Sequence, residues 1–156
     1  MGVIEDIIDM MKVKVIFNTR DPRAIYSSRK VLEHFTQNIT LTKVKTLCVR
    51  LIHDIQIYNR LNETHRPFIY HTSYDDILTG QADTVKQLYD WLGVSVPPET
   101  LEEIVHASFT TGGRRFPKER KEQKWRRLLP RSDIKLIQRE CKWVINQLGH
   151  TNIYGA

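Results

Sequence analysis

The chain has 156 residues, enough to bury a core and the length expected of one domain. Its 40% hydrophobic and 27% charged residues are those of an ordinary soluble globular protein, and no apolar run reaches the length of a membrane span. A net charge of +6 favours polyanionic partners, whether glycan sulfates, phosphates or nucleic acid, and its sign alone selects none of them.

The opening MGVIEDIIDMMKVK carries acidic residues early and lacks a basic leader and a small-residue cleavage site, so no secretory signal is expected. Asp6 breaks the myristoylation pattern that Gly2 would start. Residues 4–11 read as a short amphipathic helix, and residues 13–19 as a strand in which Val13, Val15 and Phe17 alternate. Asp21 as N-cap with Pro22 in the first helical position starts a helix running to about Phe35. Polar residues from Gln37 to Thr42 mark a loop. Val44, Leu47, Cys48, Leu51, Ile55 and Tyr58 then recur at helical spacing and predict the longest helix.

Pro67 resets the chain, and residues 68–71 predict a second strand, parallel to the first because a helical crossover joins them. Residues 72–78 read as a turn. Gly80 is expected to precede a helix with Val85, Leu88 and Leu92 on one face and Gly93 as its C′ residue. Pro97 and Pro98 introduce a further helix through about His106, burying Leu101, Ile104 and Val105. Residues 108–117 read as loop and 119–129 as a strongly basic helix. One last helix is predicted from Asp133 to Leu148, with Ile134, Ile137, Cys141, Val144 and Leu148 inward and Gly149 ending it.

The junction after the first strand concentrates the chemistry. Arg20 falls at the strand's carboxyl end, where ligands of open α/β sheets bind, and its guanidinium can grip phosphate oxygens as a fork. The helix amides behind it favour an anion, and Ser28, two turns along, adds a hydroxyl. The plainer alternative is that Asp21 and Pro22 only cap a helix whose arginines are solvated.

The string VKVIFNTRDPRAIYSSR resembles the segment of carbohydrate sulfotransferases that binds the 3′-phosphate of 3′-phosphoadenosine 5′-phosphosulfate. In that family an Arg and a Ser eight positions later contact the 3′-phosphate, which implies that role for Arg20 and Ser28. A second stretch, SYDDILTGQADTVKQLYDWLGV, resembles the family's Tyr-Glu-Asp-Leu segment, with Asp75 in place of Glu and Ile77 in place of Leu. The resemblance implies that Tyr74 lies near the adenine, where an aromatic face can stack on a purine; a core tyrosine with a satisfied hydroxyl is the alternative. A third, SFTTGGRRFPKERKEQKWRRLLP together with IKLIQRECKWVINQLGH, resembles the carboxyl-terminal region of the Golgi enzymes. There Gly112 and Gly113 would let backbone amides approach an anion while Arg114 and Arg115 supply charge, closing over the nucleotide like a flap.

By this resemblance the chain is an incomplete, P-loop-like sulfotransferase domain of α/β class, with a short parallel sheet flanked by helices. It would supply the 3′-phosphate and adenine side of an enzyme that transfers a sulfuryl group to a carbohydrate hydroxyl. The co-substrate is 3′-phosphoadenosine 5′-phosphosulfate, the partner an acidic or neutral glycan acceptor and the compartment the Golgi lumen. That compartment would permit a disulfide between Cys48 and Cys141, each on the apolar face of its predicted helix; two buried thiols are the other possibility. Nothing resembles the family's amino-terminal 5′-phosphosulfate loop, so no catalytic base is assigned, and the chain alone is expected to be inactive. Absence of CxxC and HExxH argues against a metal, and absence of GxSxG against a hydrolase triad.

Two rivals remain: a non-catalytic nucleotide- or glycan-binding remnant, and a basic nucleic-acid module using Trp125 and Trp143. Nucleic acid is not the expected partner, because core packing accounts for the tryptophans.

Overall fold

A computed structural model describes residues 3–31, 40–111, 114–115 and 124–153. The fold is a mostly helical α/β arrangement in which a two-stranded parallel sheet is flanked by helices. By contact the chain divides into two compact units, the first of residues 1–18 and 61–121 and the second of residues 19–60 and 122–156.

The first unit begins with α1, Val3–Met11, followed by β1, Val15–Thr19, whose final residue falls in the second unit. The strand starts two residues later than its sequence suggests. Helix α1 ends as Lys12 turns through a left-handed φ of 52°, its amide still bonded to the Ile8 carbonyl, so Val13 and Lys14 serve as connector. Along β1, Val15 and Phe17 are half-buried and Thr19 buried while Ile16 and Asn18 are exposed, the period-two pattern of a strand with one covered face.

Its partner β2, Ile69–Ser73, follows a 3-10 turn, Arg66–Phe68, that takes up the expected first strand residue. Phe17 and His71 meet across the pair with ring centroids 5.8 Å apart. Helix α4, Tyr74–Leu92, covers this sheet through Trp91, whose ring lies 5.2 Å from Tyr70 and under the Lys14 ammonium at 4.9 Å. Lys14 also donates to the Trp91 carbonyl.

Of the expected turn over residues 72–78, Thr72 and Ser73 complete β2 and residues 74–78 open α4. Ser73 is the N-cap: its hydroxyl accepts from the Asp76 amide at 3.0 Å, and the Asp76 carboxylate accepts from the Ser73 amide at 3.1 Å. This reciprocal box satisfies two helix-end amides, so the helix begins at Tyr74 and carries Gly80 inside it. The glycine has a local consequence. The Thr84 hydroxyl donates to the Asp76 carbonyl at 3.0 Å, although eight residues of straight helix span about 12 Å. Helix α4 therefore bends near Gly80, where an added Cβ would lie 2.6 Å from Thr84 Oγ1. Gly93 ends it as expected, with φ 80°.

Helix α5, Pro98–Phe109, runs one turn further than predicted. Within the expected loop, β3, Thr110–Thr111, pairs antiparallel with β4, Arg114–Arg115.

The second unit contains α2, Pro22–Val31; most of α3, Leu41–Thr64; α6, Trp125–Leu128; α7, Arg131–Glu140; and α8, Lys142–Gln147. Its core is drawn from Ala24 and Tyr26, from Val44, Leu47, Cys48 and Ile55, and from Trp125, Leu129, Ile134, Ile137, Cys141, Val144 and Ile145. Three and four residue steps along α3 and α7 place these side chains on one face of each helix. Of the predicted basic helix, residues 119–123 lie outside the described residues, Lys124 is a turn, and α6 covers Trp125–Leu128.

The single last helix expected from the sequence is two. At Cys141 the backbone leaves helical values, φ −98° and ψ 16°, and this is the residue joined to Cys48 by a disulfide with Cα atoms 5.1 Å apart. After the break Val144 and Ile145 are buried, while Leu148, expected to point inward, is half-buried where α8 ends.

Tyr26, on α2, is 7% exposed, and its phenol is pushed above its ordinary pKa first by burial, then by the Asp133 carboxylate, with Arg29 opposing. Because the folded state holds the neutral form, the unfolded chain ionises first as pH rises. This contribution is complete below about pH 10 and falls from there until the folded phenol itself ionises. Thermal melts between pH 9 and 11 should show a smaller loss in Tyr26→Phe than in the wild type. Parallel losses would exclude the phenol as the cause.

Candidate functional site at the end of the first strand

The segment that leaves β1 folds tightly on itself. The Asp21 carbonyl accepts from the Ile25 amide at 3.0 Å, while its carboxylate accepts from the Arg23 amide at 2.8 Å. Asp21 is thus the N-cap of α2, as expected, and Pro22 occupies N1, where its missing amide hydrogen costs nothing. One expectation shifts in consequence. Arg23's amide, which a free helix end would offer to an anion, is already bonded to Asp21. Any phosphate at this junction would depend chiefly on side chains.

Arg23 is the surprise of the junction. Read as a solvated arginine, it would lie at the surface; instead it is 2% exposed. Its guanidinium forks onto the Asp21 carboxylate, with Nε to Oδ1 at 2.9 Å and NH2 to Oδ2 at 2.7 Å. NH1 donates to Gln138 Oε1 at 3.1 Å and to the Thr151 carbonyl at 2.8 Å. The plane lies over the Trp125 ring, 4.3 Å from its centroid. Gln138 Oε1 accepts in addition from the Ile153 amide at 3.2 Å. One buried cation therefore ties the start of α2 to α6, to α7 and to the segment after α8. Its donors face a carboxylate and two oxygens, as a buried charge requires.

The sequence carried a signal for this cluster that the apolar pattern hid. Gln138 falls between Ile137 and Cys141 on the inward stripe of α7, and a polar residue there needs a buried partner.

Arg20, immediately after β1, is half-buried, and Ser28 is exposed on α2, whereas its neighbour Ser27 is buried. Both predicted phosphate contacts belong to the second unit. Tyr74 and Arg114–Arg115 belong to the first. Tyr74 is half-buried as the first residue of α4. Arg114 and Arg115 form β4, with Arg115 opposite Thr110 and Arg114 opposite Thr111. Gly112 and Gly113 lie outside the described residues.

Trp125, 2% exposed beneath Arg23, is packed in the core as expected and cannot stack on a base, whereas Trp143, also expected in the core, is 41% exposed. Among the described residues no group of three His, Cys, Asp or Glu side chains is arranged to hold a metal ion. No described helix is long and apolar enough to cross a membrane.

No family model matches the chain, and no solved structure matches it.

Proposed function

We propose that the chain binds 3′-phosphoadenosine 5′-phosphosulfate by its 3′-phosphate and forms the nucleotide-anchoring part of a carbohydrate sulfotransferase of P-loop-like fold. The observation that carries this reading is the position of Arg20. It follows the carboxyl end of a parallel strand, and a capped helix presenting the exposed Ser28 hydroxyl starts two residues later, at Pro22. Both residue types and their spacing are those of the 3′-phosphate segment this string resembles. The fit is through side chains: a forked cation and a hydroxyl suit phosphate oxygens.

The same resemblance assigns Tyr74 to the adenine, and Arg114 and Arg115, with Gly112 and Gly113, to the rest of the nucleotide. Sulfuryl transfer depends on positioning and on stabilising developing charge, which cationic side chains supply. Exposed Lys124, Arg126 and Arg127 favour an acidic glycan acceptor. The Cys48–Cys141 bridge is consistent with a secretory compartment such as the Golgi lumen.

Adding 3′-phosphoadenosine 5′-phosphate at one hundred times its dissociation constant should stabilise the protein by about 2.7 kcal/mol, a melting shift of roughly 5–10 °C. Arg20→Ala should abolish the shift and Ser28→Ala reduce it. An intact protein whose melting point ignores the nucleotide would remove the basis of this reading. Transfer of radiolabelled sulfate to a glycan then separates an enzyme from a binding protein.

A further inference from the structure

The Arg23 cluster begins at Asp21, the residue after Arg20, and its buried guanidinium is engaged by Asp21, Gln138 and the Thr151 carbonyl. We infer that Arg23 is a positioning residue for the 3′-phosphate site, held by Gln138, Trp125 and the Thr151 carbonyl, so that selectivity for a 3′-phosphate is set partly by α7 and by the segment after α8. This inference rests on the nucleotide reading above and adds to it a second set of residues.

Arg20 is joined directly to Asp21, and Asp21 has little freedom: its carbonyl is in the α2 ladder, its carboxylate holds both the amide and the guanidinium of Arg23, and Pro22 fixes φ between them. That small closed unit would still be free to tilt as a body. What restrains it is NH1 of Arg23, which reaches Gln138 and Thr151, residues 115 and 128 positions away in sequence. Gln138 is held in turn by the Ile153 amide, and Trp125 supports the guanidinium plane from below. Arg20 and Ser28 lie on either side of the anchored point, one before the helix and one on it. A fork must meet phosphate oxygens within a few tenths of an ångström to make both bonds, so freedom at Asp21 is felt at the phosphate.

A buried ion pair is also a poor way to gain stability compared with apolar packing, because desolvation cancels much of its attraction. Fixed orientation is what it provides that apolar packing does not.

The test compares dissociation constants for 3′-phosphoadenosine 5′-phosphate and adenosine 5′-phosphate, which differ only by the 3′-phosphate. Wild type should prefer the first by about tenfold or more, and Arg20→Ala should erase that preference. Gln138→Ala, which leaves the Asp21–Arg23 pair whole, should cut the preference roughly three- to tenfold while affinity for adenosine 5′-phosphate stays the same. Gln138→Glu keeps an acceptor for Arg23 and should restore it. Arg23→Lys should behave as Gln138→Ala; if it fails to fold, the Gln138 pair decides. A merely structural role would lower both affinities together or the melting point alone. If wild type shows no preference, the nucleotide reading fails and this inference with it. If wild type shows a preference that Arg20→Ala erases and Gln138→Ala retains, the inference alone is overturned.

Discussion

Replacing Cys48 and Cys141 together by alanine should lower stability by about 2–5 kcal/mol and the melting temperature by roughly 10 °C. The bridge closes a loop of sequence separation 93, and the loop-entropy relation assigns a cross-link of that span about 4.6 kcal/mol through restriction of the unfolded chain. Both cysteines are buried, 2% and 0% exposed, so their removal also leaves unfilled volume beside Leu47, Val144 and their neighbours in the second unit's core. Wild type in a strong thiol reductant should lose most of the same stability but less than the double variant, because its two thiols still fill the core. Amide exchange should rise most in α3, α7 and α8, the helices the bridge joins. A double variant melting within about 2 °C of wild type would show that packing already holds these helices together.

The legible parts of this fold are those where one strong local rule operates. Alternation found β1, Asp21-Pro22 found the start of α2, three-and-four spacing found α3 and the inward face of α7, and Gly93 and Gly149 marked helix ends, both with left-handed φ. The failures have separate causes. Glycine's low helix propensity suggested that α4 starts after Gly80, but the capping box at Ser73 and Asp76 outweighs it, and the box was readable as Ser-x-x-Asp before an apolar run. The division at Cys141 leaves no mark on hydrophobic spacing, because Ile134, Ile137, Cys141 and Val144 suit an unbroken helix equally well. Whether the cysteines were bridged or buried as thiols was likewise beyond periodicity, since both states occupy the same apolar face. The candidate site divides in the same way. Arg20 and Ser28 follow from a local string, whereas the partners of Arg23 are more than a hundred residues away and appear only once the chain is folded.

Those distant partners make the Asp21–Arg23 pair the point of greatest expected sensitivity. Asp21→Asn keeps an N-cap oxygen for the Arg23 amide and removes only the negative charge, so it should leave a guanidinium buried with neutral acceptors alone. Arg23→Met keeps much of the side-chain volume on Trp125 and leaves the carboxylate without its cation. Each single variant should be destabilised by about 3–5 kcal/mol, the range for breaking a buried pair from one side. The double variant, Asp21→Asn with Arg23→Met, should lose distinctly less than the sum, because no uncompensated charge remains; Gln138 and the Thr151 carbonyl still lose a donor and keep some cost in place. Urea unfolding of the four proteins gives the coupling energy directly, and about 2 kcal/mol or more is expected. Additive losses would mean that the two charges are solvated in solution, and the buried anchor beneath Arg20 would then have no physical basis. Strong coupling, by contrast, would establish that the backbone carrying Arg20 is fixed from within the second unit's core before any ligand arrives.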